Sequence, residues 1–331
     1  MTTRPIRHTI PPDILALSHE RDELRKRGQY SRADALKKLI EDAGYSIKDN
    51  PRGAHLVILP SIEVDGTIYR IARQVPSLLN ESDRCLLSVQ ILANNCLEEA
   101  RRCVESVLHH AGDQAIEVML IDNASQDELA SWAKAYQQET ALLHFIRTSR
   151  VMGEAAARNL GLQQSQGRFI LQLAPNLELT GDIFTPLAQV LENAEVGITG
   201  PRGLHTDDLR HFEESADDEA EAIDGSCMAF PRKLLKKTGL FDEGYRFPAS
   251  YMDIDFSLAV RDRGLQARVA RDLPLISHPT QSHSPLSDEE RTRLNKRNFY
   301  HFLDNWGDRE DLLLNGVEDD EEEYEDDEDE E

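Results

Sequence analysis

Cysteine is scarce in this 331-residue chain, and the four present, Cys85, Cys96, Cys103 and Cys227, form no Cys-x-x-Cys pair and have no histidine at zinc-finger spacing. Their pattern excludes a zinc ribbon and a disulfide-stapled scaffold and implies reduced thiols, the state expected in the cytoplasm. Long apolar runs are missing too. Nothing approaches bilayer length, and no apolar stretch follows the polar start from Met1 to His8, so neither a membrane span nor an export signal is expected. Basic residues are outnumbered, 37 Lys and Arg against 61 Asp and Glu, for a formal net charge of −24. An acidic chain repels a phosphate backbone, which argues against tight nucleic-acid binding by the molecule as a whole.

The charge is unevenly spread. Residues 318–331 hold thirteen Asp or Glu and no base, and removing those charges leaves −11 for the other 317 residues. Such a block repels itself and has almost nothing to bury, so 306–331 reads as an acidic, disordered tail. Before it, 40% hydrophobic content is enough for one sizeable core and a smaller module.

The smaller module comes first. Pro11, Pro12 and Asp13 open a helical pattern with Ile14, Leu17 and Leu24 on one side, and the chain turns at Arg27 to Tyr30. Ser31 is placed to cap a second helix carrying Ala35, Leu36, Leu39 and Ile40, which Gly44 ends. A β-hairpin follows, Tyr45–Lys48 and Ala54–Ile58 joined at Asn50–Gly53. Three stretches, Arg21–Arg27, Tyr30–Leu36 and Ala43–Gly53, make residues 1–60 resemble the small C-terminal module of cysteinyl-tRNA synthetases. That resemblance implies RNA contact through the Arg25-Lys26-Arg27 corner; a solvated helical hairpin explains the same residues. Residues 61–84 read as a linker or extra strands.

From Cys85 the chain alternates apolar runs with amphipathic ones. Strands are predicted near 86–92, 116–121, 142–147, 168–173 and 195–199, and helices near 97–110, 126–138, 154–165 and 182–193. This alternation implies an α/β fold with a mostly parallel, Rossmann-like sheet covered by helices on both faces. Residues 202–222 are polar and acidic and read as a mobile surface loop. Arg293–Leu303 reads as a last amphipathic helix, with Phe299, Phe302, Leu303 and Trp306 available for packing.

Over residues 85–305 several motifs recur in a telling order. Leu87–Leu92 is a first strand, Ile121-Asp122-Asn123-Ala124-Ser125 an acidic strand end, and Gly153–Gly161 a Gly-x-x-x-Ala-Arg-Asn-x-Gly segment. Gly225–Arg232, Gly239–Glu243 and Tyr251–Phe256 complete the series. Together they resemble GT-A-type family-2 glycosyltransferases, especially the rhamnosyltransferase-like branch. The resemblance implies a GT-A fold and transfer of a sugar, with inversion, from a nucleotide-diphosphate donor to a hydroxyl acceptor.

Residue chemistry sharpens that expectation. Asp122, at the carboxyl end of a strand, can accept hydrogen bonds from a base imide or ribose hydroxyls; an Asx turn with Ser125 or Asp127 capping the next helix is the plainer explanation. Asn123, Arg158, Asn159 and Asn176 complete the expected nucleotide-sugar site. Asp253 and Asp255 are the candidate catalytic carboxylates, and the resemblance makes Asp253 the base that deprotonates the acceptor. A helix dipole alone would also favour both acids. Met252 stands where the family carries Glu. His278, more than His283, is the candidate metal ligand with Asn176. Where the family ends a strand in Asp-x-Asp, this chain reads Leu173-Ala174-Pro175-Asn176, so Mg²⁺ or Mn²⁺ is expected to bind weakly or not at all, Glu178 being the one nearby substitute. Loss of that acid equally fits a catalytically inactive, glycosyltransferase-like binding or scaffold protein.

Overall fold

The computed structural model describes residues 10–50, 53–245, 251–280 and 287–314. Pro51 and Arg52 of the expected hairpin turn, His283, and the acidic run 318–331 lie outside the described residues.

Helices α1 (Pro12–Lys26) and α2 (Tyr30–Asp42) pack against each other and on the hairpin β1 (Tyr45–Asn50) and β2 (Gly53–Ile58). Ile14, Ile40, Ile47 and Leu56 form a small core of their own. Gly44, at φ +90°, turns the chain out of α2 in the left-handed conformation that glycine adopts without steric cost. The expected cap at Ser31 is not formed: α2 begins at Tyr30 with no side-chain cap. The basic corner is largely spent inside the module. Arg21 and Arg25 both bind Asp49, each at 2.5 Å, and Lys26 pairs with Glu23 at 2.8 Å.

A short hairpin, β3 (Ile62–Val64) and β4 (Thr67–Tyr69), leads into the main body. Its first half is a regular β/α succession: β5 (Cys85–Ala93), α3 (Leu97–His110), β6 (Ile116–Asp122), α4 (Leu129–Tyr136), β7 (Leu143–Thr148), α5 (Glu154–Gln164) and β8 (Gly167–Leu173). The second half is less regular. It runs β9 (Leu177–Leu179), α6 (Phe184–Glu192), β10 (Val196–Gly200), β11 (Gly203–His205), β12 (Glu213–Glu214), β13 (Glu219–Ala220), β14 (Ala222–Ile223) and β15 (Cys227–Pro231). It ends with α7 (Leu235–Thr238), α8 (Met252–Arg261), β16 (Gln266–Val269), β17 (Leu275–Ser277) and α9 (Asp288–Trp306).

Ten strands form one sheet in the order β13-β16-β10-β15-β8-β5-β6-β7-β3-β4. Its centre, β8-β5-β6-β7, is parallel, and β15 joins antiparallel beside β8. The central strands are buried on both faces, which is why they read as continuous apolar runs. One face carries the core shared with α3, α4 and α6, the other the core shared with α5, α8 and α9. The result is a GT-A-like, Rossmann-type α/β architecture with the N-terminal hairpins appended.

Two composition-based expectations need correction. Residues 202–222 are not a surface loop: they supply β11 and β13 and bury Leu209, Ala220 and Glu221. Residues 306–314 are packed rather than part of a tail, because Leu312 is buried and Arg309 binds Asp262 at 2.8 Å. Among the described residues no helix is long and apolar enough to cross a membrane.

Gly167 lies where β8 starts beside β5, and a β-carbon there would meet the Ser88 nitrogen at 2.3 Å and the Leu87 carbonyl carbon at 2.6 Å. Backbone cannot yield as a flexible side chain can. Gly167→Ala is expected to lower unfolding free energy by about 3 kcal/mol, read from the urea midpoint at unchanged m-value.

Candidate active site at the carboxyl rim of the sheet

Parallel strands bring their carboxyl ends to one rim, where ligands bind in open α/β sheets. Asp122 is the last residue of β6, paired in register with Ala93 of β5 and Arg147 of β7. β15 runs the other way, so its start lies at the same rim, Cys227 opposite Leu173. The Ala174 amide donates to the Ser226 carbonyl at 2.7 Å, and the Gly225 amide donates to Asp253 Oδ2 at 2.7 Å. Asp122 and Asp253 therefore share one rim with β5 and β8 between their anchor strands, roughly 14 Å apart at about 4.8 Å per strand.

Asp122 is not accessible, contrary to the expectation for a strand-end carboxylate. It is fully buried, its Oδ1 accepts from the Ser125 amide at 2.8 Å, and Arg147 Nε stands 3.3 Å from Oδ2. The Asx turn is thus real. Yet Oδ2, though ion-paired with Arg147, is buried with no aligned hydrogen-bond partner, an oxygen still able to accept a hydrogen bond. The turn is strained as well: Ala124 at φ +63° and Asn95 at φ +52° are left-handed residues other than glycine. Asn95 locks the two loops together, its amide donating to Ser125 Oγ at 3.0 Å and its Oδ1 accepting from Gln126 at 2.7 Å.

Of the other expected nucleotide contacts, two are committed elsewhere. Asn123 binds both backbone groups of Met152, accepting at 2.8 Å and donating at 3.0 Å, and Thr148 donates to it at 3.2 Å. Asn159 clasps Phe241 through its carbonyl (2.9 Å) and amide (3.0 Å) and reaches Glu243. Arg158 is different. It is buried, pairs with Glu154 at 3.0 Å, and keeps Nη1 without a partner.

The two candidate carboxylates also separate. Asp253 is half-buried, and desolvation of its carboxylate, with Asp224 nearby, raises its pKa to about 6. Gly225 is what lets it approach, since a β-carbon there would stand 2.9 Å from Asp253 Cβ. Asp255 points into the core, where Oδ1 accepts from Trp306 Nε1 at 2.7 Å and Tyr245 Oη at 3.0 Å. It anchors α9 to α8, and this overturns its assignment as half of an acid/base pair. Tyr245 and Trp306 carried no sequence signal for that role, being distant in the chain.

Asn176 and His278 do meet, across the β9–β17 pairing: Asn176 Nδ2 donates to the His278 carbonyl at 2.9 Å, and the His278 amide donates to the Asn176 carbonyl at 3.0 Å. The imidazole is taken, however. His278 Nε2 lies 2.6 Å from Glu178 Oε2, and Arg102 Nε is 3.6 Å from the same oxygen. Among the described residues no three His, Cys, Asp or Glu side chains stand close enough to hold an ion. The carboxylate that stands with Asn176 and His278 is Glu178, ion-paired with both His278 and Arg102; Mg²⁺ and Mn²⁺ prefer anionic oxygens.

Arg147 escaped sequence reasoning. Its only signal is the pairing register with Asp122, which exists once strands are aligned. It also donates from Nη2 to the Ser125 carbonyl at 3.3 Å and stays partly exposed.

Known proteins resemble this chain in part of its sequence and in its fold. Residues 88–244 match the model of the glycosyl transferase family 2. An uncharacterized glycosyltransferase of Methanocaldococcus jannaschii is 26% identical over 94 residues, 28% of this chain and 32% of that relative, so the match spans about a third of the relative's length. A solved structure of GalNAc-T7 with UDP, GalNAc and Mn²⁺ superposes with a TM-score of 0.58 at 16% identity, covering 68% of this chain and 48% of that one. A mannosyltransferase of Pyrobaculum calidifontis, in complex with GDP-Man and Mn²⁺, gives 0.45 at 18% identity over 64% of each chain. The fold is that of GT-A proteins. Fold and family match together support a glycosyltransferase domain over the middle of the chain.

Burial raises the pKa of Asp255, so its favourable contribution to stability is present at low pH and fades as the group ionises. Removing a donor to the ionised form should therefore cost most at higher pH. Trp306→Phe is expected to lose about 2 kcal/mol at pH 7.5 and clearly less at pH 4.5, measured by urea unfolding. Equal losses at both would reduce the effect to packing.

Proposed function

We propose that the chain is an inverting glycosyltransferase that moves a sugar from a nucleotide-diphosphate donor to a hydroxyl acceptor, with Asp253 as base. The observation carrying this reading is the Asp253 carboxylate, half-buried beside the sheet rim, held by the Gly225 amide and with its pKa raised to about 6. A base of that strength is ionised at neutral pH yet still takes a proton readily. The acceptor hydroxyl gives its proton to Asp253 as its oxygen bonds to the anomeric carbon. The bond from that carbon to the diphosphate breaks on the opposite side, and the nucleoside diphosphate leaves.

On the donor side, Asp122 Oδ2, ion-paired with Arg147 but without an aligned hydrogen bond, is the acceptor for a base imide once Arg147 swings aside. Arg147 and the unpaired Nη1 of Arg158 are the cations available to the diphosphate. No step is assigned to Mg²⁺ or Mn²⁺, because the Asp-x-Asp position is Asn176 and His278 is paired with Glu178. The ordered series of motifs from Leu87 to Phe256 is what supports a rhamnosyltransferase-like subtype. Four free thiols support a cytoplasmic setting. The N-terminal hairpins keep their likeness to the cysteinyl-tRNA synthetase module, but the internal pairing of Arg21, Arg25 and Lys26 weighs against RNA as their partner.

A second reading, a nucleotide-binding scaffold without turnover, is favoured by the same Glu178–His278 pairing. Incubation with UDP-, GDP- and dTDP-sugars, followed by release of the nucleoside diphosphate between pH 5 and 8, separates the two. A transferase shows a rate that climbs with pH and levels off above about 6, and Asp253→Asn lowers it about 10²- to 10⁴-fold. Nucleotide-sugar binding with no release at any pH selects the scaffold.

A further inference from the structure

A cavity of about 600 Å³ opens between the start of α8 and the face of α9, lined by Phe212, Tyr251, Ile254, Asn295, Lys296 and Phe299, with Thr292 at its edge. Tyr251 and Ile254 belong to the same turn at the start of α8 as Asp253, whose own side chain faces Gly225. Its wall is aromatic: Tyr251 lies 5.8 Å from Phe299 and 5.1 Å from the buried Phe302, ring centre to ring centre, and Phe212 packs 5.8 Å from Phe302. Tyr251 holds φ +75°, a strained conformation for a bulky residue, at the turn that carries Asp253. Apolar walls with a few directed polar groups are the ordinary make-up of a small-ligand site.

One polar group here, Lys296, is cationic, beside the neutral Thr292 and Asn295. Lys296 also lines an adjoining cavity of about 500 Å³ with Arg293, Arg297, Tyr300, His301 and Asp304. Arg293, Lys296 and Arg297 are exposed and make no ion pair among the described residues, whereas Arg291 reaches Asp288 at 3.8 Å. His301 is held by Asp242 at 2.6 Å, leaving Asp304 as the acid within that cavity's lining. Three exposed bases within five residues of α9 thus stand at the cavity, one turn beyond the acids Asp288, Glu289 and Glu290 that open the helix.

We infer that this cavity is the acceptor subsite and that it takes a saccharide bearing an anionic group, a carboxylate or a phosphate ester, with Lys296 on the anion and Tyr251 and Phe299 against the ring. The inference rests on the reading of Asp253 as base and adds the acceptor's chemical class. An acidic acceptor gains twice: the aromatic wall buries the less polar face of the sugar ring, and the α9 cations select for charge.

Saturation-transfer NMR and calorimetry on the full chain test this with three probes: a hexuronate trisaccharide, a phosphorylated hexose trisaccharide and an uncharged hexose trisaccharide. UDP binding is measured on the same samples. At least one acidic probe is expected to bind ten-fold or more tightly than the neutral one, the stronger arm identifying the group. Lys296→Glu and Phe299→Ala should each weaken that binding at least ten-fold, leaving UDP affinity within two-fold. Equal binding of all three probes, binding of none, or indifference to Lys296→Glu overturns the inference. Acidic-probe binding with no affinity for UDP would uphold the anion site and remove the donor half of the proposed function.

Discussion

A single hydrogen bond, 2.7 Å from the Gly225 amide to Asp253 Oδ2, fastens the first turn of α8 to the start of β15. β15 runs against β8, so that bond brings Asp253 to the rim where the parallel strands end. A side chain at position 225 would occupy the space of the carboxylate, and only glycine allows the approach. Desolvation raises the pKa of Asp253 to about 6, against the Gly225 hydrogen bond, which fixes the carboxylate and lowers its pKa.

The rest of the rim is built for rigidity. Asn95, Asn123 and Asn159 are spent on backbone groups, holding the ends of β5 and β6 and the 241–243 turn in place. Asp255 does the same for α9 through Trp306. Polar residues that looked like ligand contacts are mostly struts. Asp122 Oδ2 and Arg158 Nη1 are left with unused hydrogen-bonding capacity, as are Gln90 Oε1 and the Gln172 amide on the neighbouring strands.

Much of the fold was legible in the sequence because buried parallel strands and amphipathic helices impose distinct periods. Val118–Ile121 and the Ala100, Val104, Val107 stripe of α3 could hardly fold otherwise. The 202–222 region was misread because its strands are two or three residues long and acidic on the surface, while the residues that bury it, Leu209 and Ala220, are isolated. Site residues were legible as motifs but not as roles. Asp253 and Asp255 differ by two positions on one helix, about 200° around its axis, so one faces Gly225 and the other Tyr245 and Trp306. Arg147 belongs to the site only through strand pairing, which no local pattern encodes.

The account stands on a donor docking beside Asp122 without a metal held by carboxylates. Calorimetric titration of the intact chain with UDP-, GDP- and dTDP-sugars, in EDTA and again with Mn²⁺, measures this directly. Binding of one of them in EDTA, little changed by Mn²⁺ and abolished by Asp122→Ala, is the predicted result. No binding under either condition, or binding indifferent to Asp122→Ala, would contradict it.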